Sequence, residues 1–310
     1  MEKRILVAVD GSGHAEQALE YAVGMGSIIK NLDYVVLNVH PKISEFLLED
    51  ARRDSKARKA LKIVIEKNHD NSLRILDDSK KAMLRMGVAE DRIETVSETQ
   101  SEGIAKTILD YAKQSMCDAI VLGKRGITPL EESFIGSITN SVLEHTKITP
   151  IWAVGGDSPP ASKIMLAIDG SQSSLRAVDH VSYMVGGNEE CEITCLHVIP
   201  KLRDYCSIDF DSETDTFDGV IAEGDKHCID NFYIHARKIL EEAGIKESQI
   251  NIKEVKSLIN IAKTIVEEAK KDNVRTLVVG TKGIGGTLFV GSVAKKVLLD
   301  AKDCAVWLVP

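Results

Sequence analysis

Two tandem α/β domains, each a doubly wound sheet of five parallel strands, are the fold this 310-residue chain predicts. Three observations carry the prediction. The chain repeats itself at the scale of a domain, strands apolar on both faces alternate with amphipathic helices, and glycine and carboxylate signals gather at strand ends. Strands buried on both faces belong to parallel sheets covered by helices. Right-handed crossovers wind such a sheet in two directions, and ligands sit at the strand ends where the winding reverses.

The repeat is read directly. Val7-Ala8-Val9-Asp10-Gly11-Ser12 returns as Leu166-Ala167-Ile168-Asp169-Gly170-Ser171, and Ala105-Lys106-Thr107-Ile108 returns unchanged from Ala262. Leu37-Asn38-Val39 is answered by Leu196-His197-Val198, and Trp152 by Trp307. The offset drifts from 159 at Asp10 to 157 at Ala105 and 155 at Trp152, as loop insertions and deletions would produce. That period is the size of a whole domain, not of a solenoid unit. The expected domains are 1–155 and 163–310.

In the first half, Arg4–Val9 reads as strand one, and Ser12 or Gly13 caps a helix running to about Ile29. Tyr34–Val39 is strand two. Ser44 to Met86 is a long, charged, largely helical stretch with a break expected near Asn68–Asn71. Arg92–Val96 is a short polar strand suited to an edge. Ser101–Ser115 is an amphipathic helix, with Ile104, Ile108 and Tyr111 at helical spacing. Ala119–Leu122 is strand four and Thr149–Val154 strand five. The second half repeats this with Lys163–Ile168, Glu192–Val198, Ile250–Val255, Thr276–Val279 and Ala305–Val309. Gly155 to Ser162, rich in glycine and proline, reads as an exposed linker.

Composition narrows the function classes. Charged residues are 28% and hydrophobic ones 44% of the chain, ordinary for a globular protein. A net charge of −8 argues against a general nucleic-acid binder. No apolar run approaches the roughly 20 residues of a membrane span. Met1–Arg4 leads straight into a strand, so the expectation is a cytoplasmic chain without a signal peptide. The six cysteines (Cys117, Cys191, Cys195, Cys206, Cys228 and Cys304) form no CxxC pair and read as free, mostly buried thiols. Cys191, Cys195 and His197 share a strand face, but packing is the better reading than a metal site. Asp209 to Asp215 has alternating carboxylates without the glycine of a calcium loop.

The chemistry-bearing stretch is Gly123-Lys124-Arg125-Gly126, nine residues, then Gly136-Ser137-Ile138. It joins a strand end to a helix start. Glycines let backbone N–H groups approach an anion, and the helix N-terminus adds its dipole. The second half has Gly280, Gly283, seven residues, then Gly291-Ser292, a loop two residues shorter. Plain structural readings stand beside these: a glycine loop as a tight turn, Asp10-Gly11-Ser12 as a turn with a helix cap, Ser137 as another cap, and Lys124 and Arg125 as solvated charges. No GxxxxGK[ST] loop, dinucleotide fingerprint or hydrolytic set occurs.

The glycine pattern, with Asp10 ending strand one and Leu37-Asn38-Val39 ending strand two, resembles the ATP-binding members of the universal stress protein family. The resemblance covers essentially the whole chain and implies two flavodoxin/Rossmann-like domains paired through their final strands as an intramolecular pseudo-dimer. It implies an adenine nucleotide (ATP, ADP or AMP), with or without Mg2+. Asp10 would meet the ribose hydroxyls or a metal-bound water, Val39 the adenine edge, and Ala8 the base. Gly123, Gly126, Gly136, Ser137 and Ile138 would line the phosphates, with Arg125 adding charge. The second-half counterparts are Asp169, Val198, Gly280, Gly283, Gly291 and Ser292, weakened by the short loop.

The expected function is therefore a stress-response nucleotide sensor acting chiefly through its first half on an unknown protein partner. The alternatives are a slow ATPase or phosphotransferase, for which no general base is evident, and a nucleotide-independent scaffold. A homodimer of such chains is left open.

Overall fold

The computed structural model describes residues 2–125, 135–156, 162–199, 214–257, 260–283 and 290–310. In the first half the order is β1 (Lys3–Ala8), α1 (Gly13–Met25), β2 (Leu32–His40), α2 (Glu45–Arg53), α3 (Ser55–Arg85), β3 (Ile93–Thr99), α4 (Ile104–Gln114), β4 (Ala119–Gly123), α5 (Ser137–His145) and β5 (Ile151–Val154). The second half follows with β6 (Lys163–Ile168), α6 (Gln172–Val185), β7 (Glu192–Ile199), α7 (Thr214–Glu242), β8 (Ile250–Lys256), α8 (Ile261–Lys271), β9 (Thr276–Gly280), α9 (Ser292–Asp300) and β10 (Ala305–Val309).

All ten strands form one sheet in the order β3-β2-β1-β4-β5-β10-β9-β6-β7-β8. Pairing is parallel within each half and antiparallel only where β5 meets β10. The two halves are thus continuous through their final strands, as the resemblance implies. In each half the winding reverses between the first and fourth strands, the place where doubly wound sheets bind ligands at the carboxyl ends of their strands.

Residue chemistry explains the strand positions. Ile5, Leu6 and Val7 in β1, Ile120 and Val121 in β4, and Val306, Trp307 and Leu308 in β10 are all fully buried. The edge strands β3 and β8 carry Glu94, Glu98, Lys253 and Lys256, which blunts edge-to-edge pairing. Two apolar layers, one on each face of the sheet, form the core.

Several boundaries differ from expectation. α1 stops at Met25, and turns carry the chain from there to β2. The helical region divides at Asp54, whose carboxylate accepts from the Lys56 N–H at 2.9 Å, while α3 runs unbroken through Asn68–Asn71. An asparagine inside a helix costs only about half a kcal/mol, too little to break a 31-residue helix. The linker also differs at its start, where Gly155 is buried and Gly156 half-buried. Residues 157–161 lie outside the described residues. So do Asp209–Glu213 of the acidic run, whose last two positions, Thr214 and Asp215, open α7.

Candidate nucleotide-binding site

β1 and β2 end side by side, with the Val9 N–H donating to the Leu37 carbonyl at 2.9 Å. Asn38 is buried and its amide donates to the Val9 carbonyl at 2.7 Å, which ties the two strand ends together. His197 occupies the same place in the second half, its Nδ1 lying 3.0 Å from the Ile168 carbonyl. The residue types differ, but each supplies the bond from the middle position of the strand-two ending. His197 is thus a structural residue.

Asp10 follows β1 and is half-buried. Its Oδ1 accepts from the Ser12 N–H at 3.0 Å and the Ser12 hydroxyl at 2.6 Å. Ser12 also caps α1, accepting from the Ala15 N–H at 3.2 Å. One short turn therefore fixes the carboxylate and starts the helix. Asp169 is held likewise, by the Ser171 N–H at 3.0 Å and the Ser174 hydroxyl at 2.7 Å.

The phosphate-loop residues converge from β4 and α5. The Lys124 N–H donates to the Val154 carbonyl at 2.7 Å, and the Lys124 carbonyl accepts from the Gly136 N–H at 2.7 Å. The Thr139 hydroxyl closes onto the Gly123 carbonyl at 2.8 Å. Gly126 lies outside the described residues, as do Ile284–Phe289 of the second loop. Gly123 has a packing explanation: a Cβ there would stand 2.7 Å from the His14 carbonyl oxygen of α1. At Gly280 a Cβ would meet Ser173 at 2.8 Å in the same way.

Ser137 is not a cap. Gly136 occupies the N-cap of α5 without a side-chain hydrogen bond, and Ser137 is exposed in the first turn with no acidic neighbour there. α1, α2, α3, α6 and α8 are each capped by a Ser, Asp or Asn side chain. Among the described residues the positive end of α5 thus carries no side-chain acceptor, the condition under which a helix start attracts an anion. α9 shares it, with Gly291 as its N-cap and Ser292 following, and so does α4 behind Gly103, away from the two phosphate-loop positions.

The halves diverge at the crevice floor. Ala8 and Val39 are half-buried, whereas Ala167 and Val198 are 9% and 5% exposed. Lys282, just after β9, is docked on the start of α6: its N–H lies 3.3 Å from the Ser173 hydroxyl, and the Ser171 hydroxyl 3.3 Å from its carbonyl. A Cβ at Gly283 would approach the Asp169 Oδ2 to 3.1 Å. Among the described residues, the strand-end positions of the second half are the more buried.

Lys124 overturns its sequence reading as a solvated charge. Its ammonium donates to the carbonyls of Ala301 and, at 3.2 Å, Cys304 in the other half. Burial lowers its pKa to about 8. The sequence lacked any signal for this, because the partners are backbone atoms of a distant turn.

Among the described residues no three His, Cys, Asp or Glu side chains form a metal cluster. Cys117, Cys191, Cys195 and Cys304 are free and buried, and burial raises each thiol pKa. No helix among the described residues is long and apolar enough to cross a membrane.

Comparison with known proteins bears on this arrangement. The family model described as "Universal stress protein family" matches residues 1–154 and again 160–310. The universal stress protein YxiE of Bacillus subtilis is 26% identical over 157 residues, 46% of this chain and 93% of its own. A universal stress protein structure from Archaeoglobus fulgidus aligns over 99% of this chain and 97% of its own, with a TM-score of 0.66 and 16% identity. A putative universal stress protein from Pseudomonas aeruginosa aligns over 99% and 93%, with a TM-score of 0.57 and 17% identity. At these identities the structural likenesses speak to the fold alone.

Proposed function

This chain belongs to the universal stress protein family, and from that premise we propose that it is a stress-response regulator binding ATP or a related adenine nucleotide chiefly through its first half. The observation that carries the reading is the difference between the halves: Ala8 and Val39 are half-buried where Ala167 and Val198 are buried.

In this reading Ala8 and Val39 form the floor for the base, and the Val39 backbone reads the adenine edge. The Asp10 carboxylate, oriented by Ser12, takes the ribose hydroxyls or a metal-bound water. Backbone N–H groups at Gly126, Gly136 and Ile138, with the Ser137 hydroxyl and Arg125, take the phosphates at the uncapped start of α5. Mg2+ would accompany the phosphates, keeping water in most of its shell. The role is binding, with hydrolysis slow at most, because Asp10 is committed to its turn and ribose contacts.

The test is to quantify nucleotide released on denaturing the purified protein, then titrate ATP with Mg2+ calorimetrically. One site per chain is expected, weakened at least about tenfold by Asp10→Ala and unaffected by Asp169→Ala. Absence of both released nucleotide and titratable heat would sink the reading. Equal sensitivity to the two substitutions would overturn the asymmetry.

A further inference from the structure

Lys124 stands where three parts of the molecule meet. Its backbone N–H is held by β5 and its carbonyl by Gly136, the first residue of the candidate phosphate site at α5. Its side chain leaves the first half altogether and ends on the Ala301 and Cys304 carbonyls, in the turn between α9 and β10. The path is built for it: a Cβ on Gly155 would stand 2.7 Å from the Lys124 Cδ, and one on Gly156 would stand 2.8 Å from the Lys302 carbonyl.

The repeat shows what is peculiar here. In the first half the corresponding turn is stapled internally, the Thr146 hydroxyl donating to the Thr149 carbonyl at 2.7 Å. Ala301 and Cys304 occupy those positions in the second half, and Ala301 has no hydroxyl. The lysine of the other half satisfies the same carbonyl, and it also meets the negative end of α9. Thr281 stands in the place of Lys124 in the second half and repeats its backbone bonds, to Val309 and Gly291, both at 2.7 Å. The side-chain strut therefore runs one way, from the first phosphate loop to the second half.

We propose that Lys124 is a positioning residue through which the second half holds the Lys124 backbone and Gly136, at the start of the first half's candidate phosphate site, in place for nucleotide. The inference rests on the nucleotide-binding reading above. Ligand at Gly136 and the turn at Ala301 bias the same short backbone segment, so each alters the other's equilibrium. A cavity of about 320 Å³ lies against this strut. His14, Arg125, Lys302 and Asp303 line it, and with the Cys304 thiol these are the titratable and charged groups around the ammonium.

The experiment measures Mg-ATP affinity of the full chain, wild type against Lys124→Met and Lys124→Arg, as pH rises from about 7 to about 9.5. The ammonium loses its proton within that range, its pKa being lowered to about 8, whereas arginine does not. Wild-type affinity should fall several-fold, Lys124→Arg should hold its affinity, and Lys124→Met should be about tenfold weaker at every pH. Wild-type binding that is flat across the range, or Lys124→Met binding as tightly as wild type, overturns the proposal while leaving the nucleotide site standing. No binding by wild type at any pH fails the site reading itself. The wild-type profile needs no variant to fold, so the proposal is decided even if Lys124→Met is unstable.

Discussion

Trp152 and Trp307 stack face to face across the junction of the two halves, with ring centroids 4.0 Å apart and planes 1° from parallel. They pair directly in the β5–β10 register and are fully buried. Each indole donates into the other half: Trp307 to the Tyr21 hydroxyl at 3.0 Å, Trp152 to the His180 Nε2 at 3.1 Å. Tyr21 and His180 are themselves equivalent positions on α1 and α6. The pseudo-two-fold axis thus passes between two tryptophans whose polar atoms are satisfied by the opposite half, as buried indoles require.

Tyr21 links this pair to β9, its hydroxyl lying 2.7 Å from the Thr276 hydroxyl. Tyr21→Phe removes one group and leaves two buried partners, the Trp307 N–H and the Thr276 hydroxyl, short of a bond. The expected loss is about 1–3 kcal/mol, read from chemical denaturation of the whole chain. A loss below measurement error would mean the bond is not maintained in solution.

His180 is buried neutral, its pKa lowered to about 3 by desolvation. Unfolded, it would titrate near 6.5, so between those values the unfolded chain binds the extra proton. Stability should then be fully present above about pH 6.5 and fall as the pH drops toward 3, at up to about 1.4 kcal/mol per pH unit from this residue. Stability curves of wild type and His180→Gln over this range should converge toward acid. Parallel curves would show that His180 does not set the slope.

Gly123→Ala tests whether this glycine answers to packing or to phosphate. The added Cβ meets backbone, the His14 carbonyl at 2.7 Å, which can yield only if α1 shifts. A cost of about 1–3 kcal/mol is expected, with nucleotide present or absent. A normal melting temperature with lost ATP binding would assign Gly123 to the ligand instead.

The buried thiols give a fourth check. Cys117, Cys191, Cys195 and Cys304 are buried, the first three with pKa values pushed up to about 11 or 12. These four should resist a disulfide reagent at neutral pH and react on unfolding, as followed by mass spectrometry of labelled peptides. Rapid labelling of Cys195 in the native protein would contradict its burial.

Much of this molecule was legible from residue order alone. The duplication and the strands rest on local apolar runs and a repeated pattern, which survive without knowledge of tertiary contacts, whereas the meeting of Thr149–Val154 with Ala305–Val309 was implied by the family resemblance alone. The placing of Asp10, Val39 and Gly123 at neighbouring strand ends follows from the winding rule of parallel sheets. Other features depended on what lies across space. The helix break fell at Asp54, which offers a cap, and not at the asparagines, whose propensity penalty is small. Asn38 and His197 looked unrelated as residue types, yet both bridge to the end of strand one. Lys124 read as solvated until the fold laid the Ala301 turn against it. Chain chemistry by itself determined the elements and the repeat, because periodicity and capping act over a few residues. Only the tertiary structure decided that Ala167 and Val198 lie deeper than Ala8 and Val39 and that Lys124 ends on carbonyls of the other half, because these depend on groups far apart in the chain.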